Sequence, residues 1–214
     1  MIFYSPINGD VQTTKVVYRP RTCFLMTQLG GDIPDEVEEI RDVLLQVLKV
    51  HRLELIDAAS EVTGKDFLHK VWQMIVSVPL GIAVLHKDMP TKTQCNIFYE
   101  IGMAQALGKE TMILKTKDAQ IPSDFVRTEY ISHDQRFTES LHKYLESFFK
   151  QASYYESVAD QLEENNPLLA IDYLRRAFLI SGNESLRDRV NGIFDSIDTG
   201  ERASNSVEIL LADF

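Results

Sequence analysis

The feature that most constrains this chain is the run Leu80-Gly81-Ile82-Ala83-Val84-Leu85, which has no polar side chain and lies between two stretches of helical periodicity. A strand with one wet face alternates apolar and polar residues. A continuously apolar strand suits a sheet covered on both faces, which means parallel strands joined by helical crossovers. The flanking segments fit that reading. Thr22–Gln28 reads as a first strand, ending at Gly30-Gly31-Asp32. A helix should follow, with Pro34 in its first turn, acidic residues at its positive end, and Val37, Ile40, Leu44, Val47 and Leu48 as its apolar stripe. Leu53–Asp57 reads as a second strand. Asp66–Val78 reads as a second helix, with Phe67, Leu68, Val71, Trp72 and Ile75 on one side.

Beyond Leu85 a polar loop, His86–Gln94, leads to a third helix at Asn96–Leu107. Asn96 is placed to cap its start, and Gly108 to end it. Thr111–Lys115 and Glu129–Ser132 read as strands four and five, and Asp134–Phe149 as the last helix of this domain. Such alternation predicts an α/β fold, a doubly wound, mainly parallel sheet of flavodoxin/Rossmann-like type. Ligands then bind beyond the carboxyl ends of the strands.

Residues 1–150 are assigned to this domain, with a possible amino-terminal hairpin pairing Ile2–Tyr4 with Val16–Tyr18. Residues 151–214 read as a helical extension and tail. Tyr154–Glu163 and Pro167–Ile180 resemble one tetratricopeptide-type hairpin, with Ala159, Leu162, Ala170, Leu174 and Ala177 at packing positions, and Glu184–Phe194 adds a third helix.

Composition sets outer limits. The net charge of -10 argues against broad nucleic-acid binding, which needs a cationic face. Two cysteines, Cys23 and Cys95, are too few for a disulfide framework or a zinc site and fit a reducing cytoplasm. The five histidines show no metal spacing, so neither metal nor cofactor is expected. No apolar stretch reaches the length of a membrane span.

The chemistry-bearing stretch is Cys95-Asn96-Ile97-Phe98-Tyr99-Glu100-Ile101-Gly102-Met103-Ala104-Gln105-Ala106-Leu107-Gly108-Lys109. Glu100 is its only acidic residue and is expected one turn into the helix, at the ligand end of the sheet. The small residues Gly102, Ala104 and Ala106 would let this helix lie close on the sheet. A carboxylate in apolar company has a raised pKa, and it can act as nucleophile or electrostatic stabiliser at a sugar carbon. A solvated helix residue is the plainer reading of the same spacing. Gly30 and Gly31 offer backbone N–H groups to a ligand. Asp57 and His86 end strands on the ligand side, and Asp124 and Arg127 follow strand four, where an arginine suits a phosphate.

The Asn96–Lys109 segment resembles the signature of small bacterial proteins related to nucleoside 2-deoxyribosyltransferases. The resemblance reaches back through Asp66-Phe67-Leu68 and Gly81–Leu85 and forward to Ile121–Arg127 and Tyr130-Ile131, covering roughly residues 21–134. It also relates the fold to bacterial TIR-type domains. It implies that Glu100 attacks the anomeric carbon of a nucleoside, nucleotide or NAD, that Asn96 and Tyr99 line the sugar site, and that the protein is a homo-oligomer. The family commonly has an acidic residue where this chain has Val84, a departure that favours a non-catalytic nucleotide-binding or sensing domain signalling through the helical carboxyl-terminal region. A purely structural interaction protein is the third class of reading.

Overall fold

The computed structural model describes residues 16–59, 67–122 and 130–196. The chain divides into two compact units, Arg21–Glu146 and a second made of Met1–Pro20 with Ser147–Phe214. The first unit holds a sheet of β1 (Thr22–Met26), β2 (Glu54–Asp57), β3 (Leu80–Leu85), β4 (Glu110–Lys115) and β5 (Tyr130–Ser132). All pairings are parallel, and the order is β2-β1-β3-β4-β5. That is the flavodoxin-like order of a doubly wound α/β sheet, and its strand order reverses between β1 and β3.

Helices α1 (Asp35–Val50), α2 (Phe67–Ser77), α3 (Thr91–Ala106) and α4 (Phe137–Leu162) connect or follow the strands. Side chains alternate across each strand. Phe24, Met26, Ala83, Leu85 and Ile113 join a core with Val71, Met74 and Ile75 of α2 and with Ile97, Ile101 and Ala104 of α3. The alternate residues Cys23, Leu25, Ile82, Val84, Met112 and Leu114 are also fully buried, as are the expected α1 stripe and Leu141 and Leu145 of α4. α1 and α4 are linked by a hydrogen bond of 2.9 Å between His51 Nε2 and His142 Nδ1. Both faces of β3 are therefore covered, which is what its continuous apolar run required. At Gly81 a Cβ would lie 2.7 Å from Met26 Cε, so the absent side chain leaves room for the Met26 methyl over β3.

Several local expectations are corrected. α3 begins at Thr91, five residues before Asn96, with Pro90 at its N-cap and no side-chain capping bond. The polar residues Thr91–Gln94 form its first turn, because a helix end at the surface needs no apolar side chains. Asn96 is thus an interior, exposed residue rather than a cap. Gly102 and Ala106 are exposed too, and only Ala104 of the three small residues meets the core. Gly108 does follow the helix, with φ 69°. In α2, Phe67 and Leu68 are 56% and 38% exposed, while Val71, Trp72 and Ile75 are buried. Val16–Tyr18 forms no strand, and the rest of the expected hairpin lies outside the described residues.

α4 is one continuous helix of 26 residues, where two had been expected. Nothing in Lys150-Gln151-Ala152-Ser153 breaks it, since it holds no proline or glycine. In the second unit, α5 (Pro167–Ser181) starts at Asn166, whose side chain accepts from the Leu169 N–H, and ends at Gly182 with φ 69°. α6 (Ser185–Ser196) follows. Of the expected packing positions, Ala159, Ala170, Leu174 and Ala177 are fully buried and Leu162 is partly so. α5 is buried nearly all round, so it forms the centre of its unit.

Candidate functional site

The reversal of strand order makes the carboxyl edge between β1 and β3 the place to find a ligand crevice. The residues there are polar and closely tied. Gln28, just past β1, is 6% exposed, and His86, just past β3, is 2% exposed. Gln28 Nε2 donates to the Gly30 carbonyl at 2.7 Å and lies 3.4 Å from that of Asp32. Gln28 Oε1 lies 3.1 Å from His86 Nε2. Gly31 has φ 84°, in the left-handed region, and a Cβ there would sit 3.3 Å from Gln28 Nε2. Gly31 therefore lets the loop wrap around the Gln28 amide. Sequence reasoning picked out Gly30, Gly31 and His86 but missed Gln28, which reads locally as the polar end of a strand.

Burial pushes the His86 imidazole below the ordinary histidine range, offset in part by Asp88. Among the described residues its Nδ1 is buried and has no hydrogen-bond partner. Thr116, just past β4 and 3% exposed, likewise has a buried hydroxyl without a partner among them. Its backbone N–H donates to the Leu85 carbonyl at 3.0 Å, so His86 and Thr116 occupy the next rung beyond Leu85 and Lys115.

The loop after β1 enters α1 through Asp35, Glu36 and Glu38, all in the first helical turn. These carboxylates occupy the positive end of the helix dipole, so a phosphate there would meet like charge. Glu36 is engaged elsewhere: its Oε1 lies 3.2 Å from His133 Nδ1 and 3.3 Å from the Lys117 N–H. Asp57, at the end of β2, accepts from the Ala59 N–H at 2.9 Å and lies 3.7 Å from Arg41 Nη2. It acts as a turn cap with an ion-pair partner.

Asn96, Tyr99 and Glu100 form a second group. Their spacing puts them on one flank of α3, beside the buried Ile97 and Ile101. Asn96 and Tyr99 are exposed, and Glu100 is half-buried. Glu100 makes no hydrogen bond or ion pair among the described residues, and burial alone pushes its carboxyl up to about 7. The early start of α3 moves Glu100 out of the first turn, roughly 13 Å along the axis from Thr91 at the usual rise per residue. The structure thus brings Gln28, Gly30, Gly31 and His86 together, and Asn96, Tyr99 and Glu100 together, as two clusters. Val84 is wholly buried in β3, opposite Leu114. Asp124 and Arg127 lie outside the described residues.

An open depression lined by Leu45, Lys49, Arg52 and Glu54 among others lies at the amino end of β2, and none of its lining residues is a candidate residue. Among the described residues no three His, Cys, Asp or Glu side chains are grouped to hold a metal, and no helix is long and apolar enough to cross a membrane.

No family model matches this sequence, and no curated protein matches it. Among solved structures, the chain is similar to a 2-deoxyribosyltransferase from the psychrotolerant bacterium Bacillus psychrosaccharolyticus, with 11% identity and a TM-score of 0.42 over 56% of this chain and 90% of that one.

Proposed function

We propose that this protein binds a nucleoside at the carboxyl edge between β1 and β3 and breaks its base–sugar bond through Glu100. The observation that carries the reading is the state of that carboxyl: half-buried, unpartnered among the described residues and pushed up to about 7. A carboxylate stripped of water and of competing cations is a stronger nucleophile toward a sugar carbon than a solvated one. In the step proposed, a Glu100 oxygen bonds to the anomeric carbon as the carbon–nitrogen bond breaks. The bonding pair leaves with the base, which takes up a proton. Water or a second base then displaces the carboxylate. The acidic first turn of α1 favours a nucleoside over a nucleotide or NAD as ligand.

The test is chromatography of the protein incubated with a panel of nucleosides, nucleotides and NAD, for the parent and for Glu100→Gln. Glutamine keeps the size and loses the charge, so base release should fall on the order of 10³-fold. Because the ionised form attacks, the parent rate should climb with pH and level off above about 7. Equal release by the two proteins would refute the reading. A second reading, a nucleoside-binding domain without catalysis, is favoured by the early start of α3, which carries Glu100 well down the helix from the sheet edge. It requires binding without base release. A homo-oligomer in the cytoplasm belongs to either reading, and light scattering tests the assembly.

A further inference from the structure

The Gln28–His86 bond fixes more than position. Gln28 spends its amide N–H groups on the Gly30 carbonyl and toward that of Asp32. The atom it turns to His86 is therefore its oxygen, Oε1. A carbonyl oxygen only accepts, so His86 Nε2 must carry the proton. A neutral imidazole has one N–H, which leaves Nδ1 as a lone-pair acceptor. Among the described residues that acceptor is buried and unmet, and just past the neighbouring strand the Thr116 hydroxyl is buried and unmet as well. Unsatisfied buried polar atoms are costly and scarce in folded proteins, and these two end the adjacent strands β3 and β4 on one rung, where one small group can serve both. One group meets both demands: an alcohol hydroxyl, which donates to Nδ1 and accepts from the threonine.

We propose that His86 Nδ1 and the Thr116 hydroxyl form the subsite for a sugar hydroxyl of the ligand, with Gln28 as the positioning residue that sets the His86 tautomer. The identity of the hydroxyl as a sugar's rests on the nucleoside reading above. The tautomer does not, since it follows from hydrogen bonds within the chain. The neutral state needed is consistent with the burial of His86 against the single carboxylate of Asp88.

The experiment is long-range proton–nitrogen NMR of the full chain with ring-labelled histidines, His86 being identified by its loss in His86→Asn. Without ligand, His86 should show a protonated Nε2 and a bare, pyridine-type Nδ1. Adenosine and 2′-deoxyadenosine are then titrated in, with adenine as the probe that lacks the sugar. Nucleosides should shift the Nδ1 resonance toward the hydrogen-bonded range, and adenine should not. In binding assays His86→Asn, whose side-chain oxygen falls near the Nδ1 position, should keep affinity within a few-fold. His86→Gln and Thr116→Val should each lose on the order of tenfold, the worth of one neutral hydrogen bond. Thermal melting checks that each variant is folded. Gln28→Leu should scramble the tautomer signature in folded protein, which a merely space-filling Gln28 would not do. A protonated Nδ1 in the free protein overturns the inference, as does nucleoside binding that leaves Nδ1 unmoved, the result expected if water alone fills the subsite. Failure of every nucleoside to bind overturns it together with the proposed function, so the two failures are told apart.

Discussion

Two places among the described residues bury polar side chains in opposite ways. In α5, Asp172 and Arg175 are 5% and 6% exposed, yet neither leaves a buried side-chain atom without a partner. Asp172 receives Arg175 Nη2 at 2.5 Å and Arg176 Nε at 3.0 Å, while Arg175 Nη1 donates to the Tyr18 hydroxyl at 2.9 Å and the guanidinium lies over the Tyr18 ring. At the carboxyl edge of the sheet, Gln28 and His86 meet each other, but among the described residues His86 Nδ1 and the Thr116 hydroxyl have no partner, and on α3 Glu100 is half-buried without one. Burial of polarity is common to both places. Satisfaction is what separates the Asp172–Arg175 network from the polar sheet edge, although Arg187 Nε of α6 is a third buried atom without a partner among the described residues.

The comparison breaks most visibly at Asp172. Asp172→Ala should leave Arg175 buried without its counter-charge and cost about 3–5 kcal/mol in urea denaturation. His86→Leu should cost only about 1 kcal/mol, because the orphan atom it removes at Nδ1 offsets the one it leaves at Gln28 Oε1. Comparable losses at the two positions would erase the distinction drawn above.

Glu100 sharpens it from the other side. Its carboxyl is raised from 4.5 to about 7 by burial, so the folded state holds a proton that the unfolded chain has released. The stability this lends is complete below about 4.5 and is lost as pH rises toward about 7. Above that, the unpaired charge is a standing cost, and Glu100→Gln should stabilise the protein by about 2 kcal/mol near pH 8, a value discounted for partial exposure. The gap between variant and parent should widen across that window and then flatten. A variant less stable than the parent at high pH would mean that the carboxylate has a partner, against the proposed function. Stability gained where activity is lost is the usual mark of a functional site.

A smaller effect is expected at Tyr18. Its hydroxyl is one of several contacts to Arg175, and burial raises its pKa. Tyr18→Phe keeps the ring under the guanidinium and should cost about 1–2 kcal/mol, the net worth of a hydrogen bond to a charged group. The smallest concerns the His51–His142 pair. Burial and the neighbouring His142 hold His51 below the ordinary histidine value, so this contact supports stability above that value and loses it as pH falls through the lowered pKa. His142→Gln should flatten that acid limb by under about 1 kcal/mol.

The sequence by itself determined the succession of strands and helices along the chain through β5, the parallel sheet and the α1 stripe, because these follow from short-range periodicity and strand–helix alternation. Val37, Ile40, Leu44, Val47 and Leu48 lie on the buried face their spacing assigned. The grouping of Asn96, Tyr99 and Glu100 came from the resemblance instead, and the spacing along α3 puts them on one flank. Only the tertiary structure decided where α3 begins, because a helix end is set by what its first turn meets, and Met89 burying just before Pro90 anchors it at Thr91. Only the tertiary structure paired Gln28 with His86, 58 residues apart, and set Thr116 beside them. Each of those residues reads locally as the polar end of a strand. What makes them a candidate site is the unmet valence left when the sheet brings three such ends together, and valence is a property of neighbours in space.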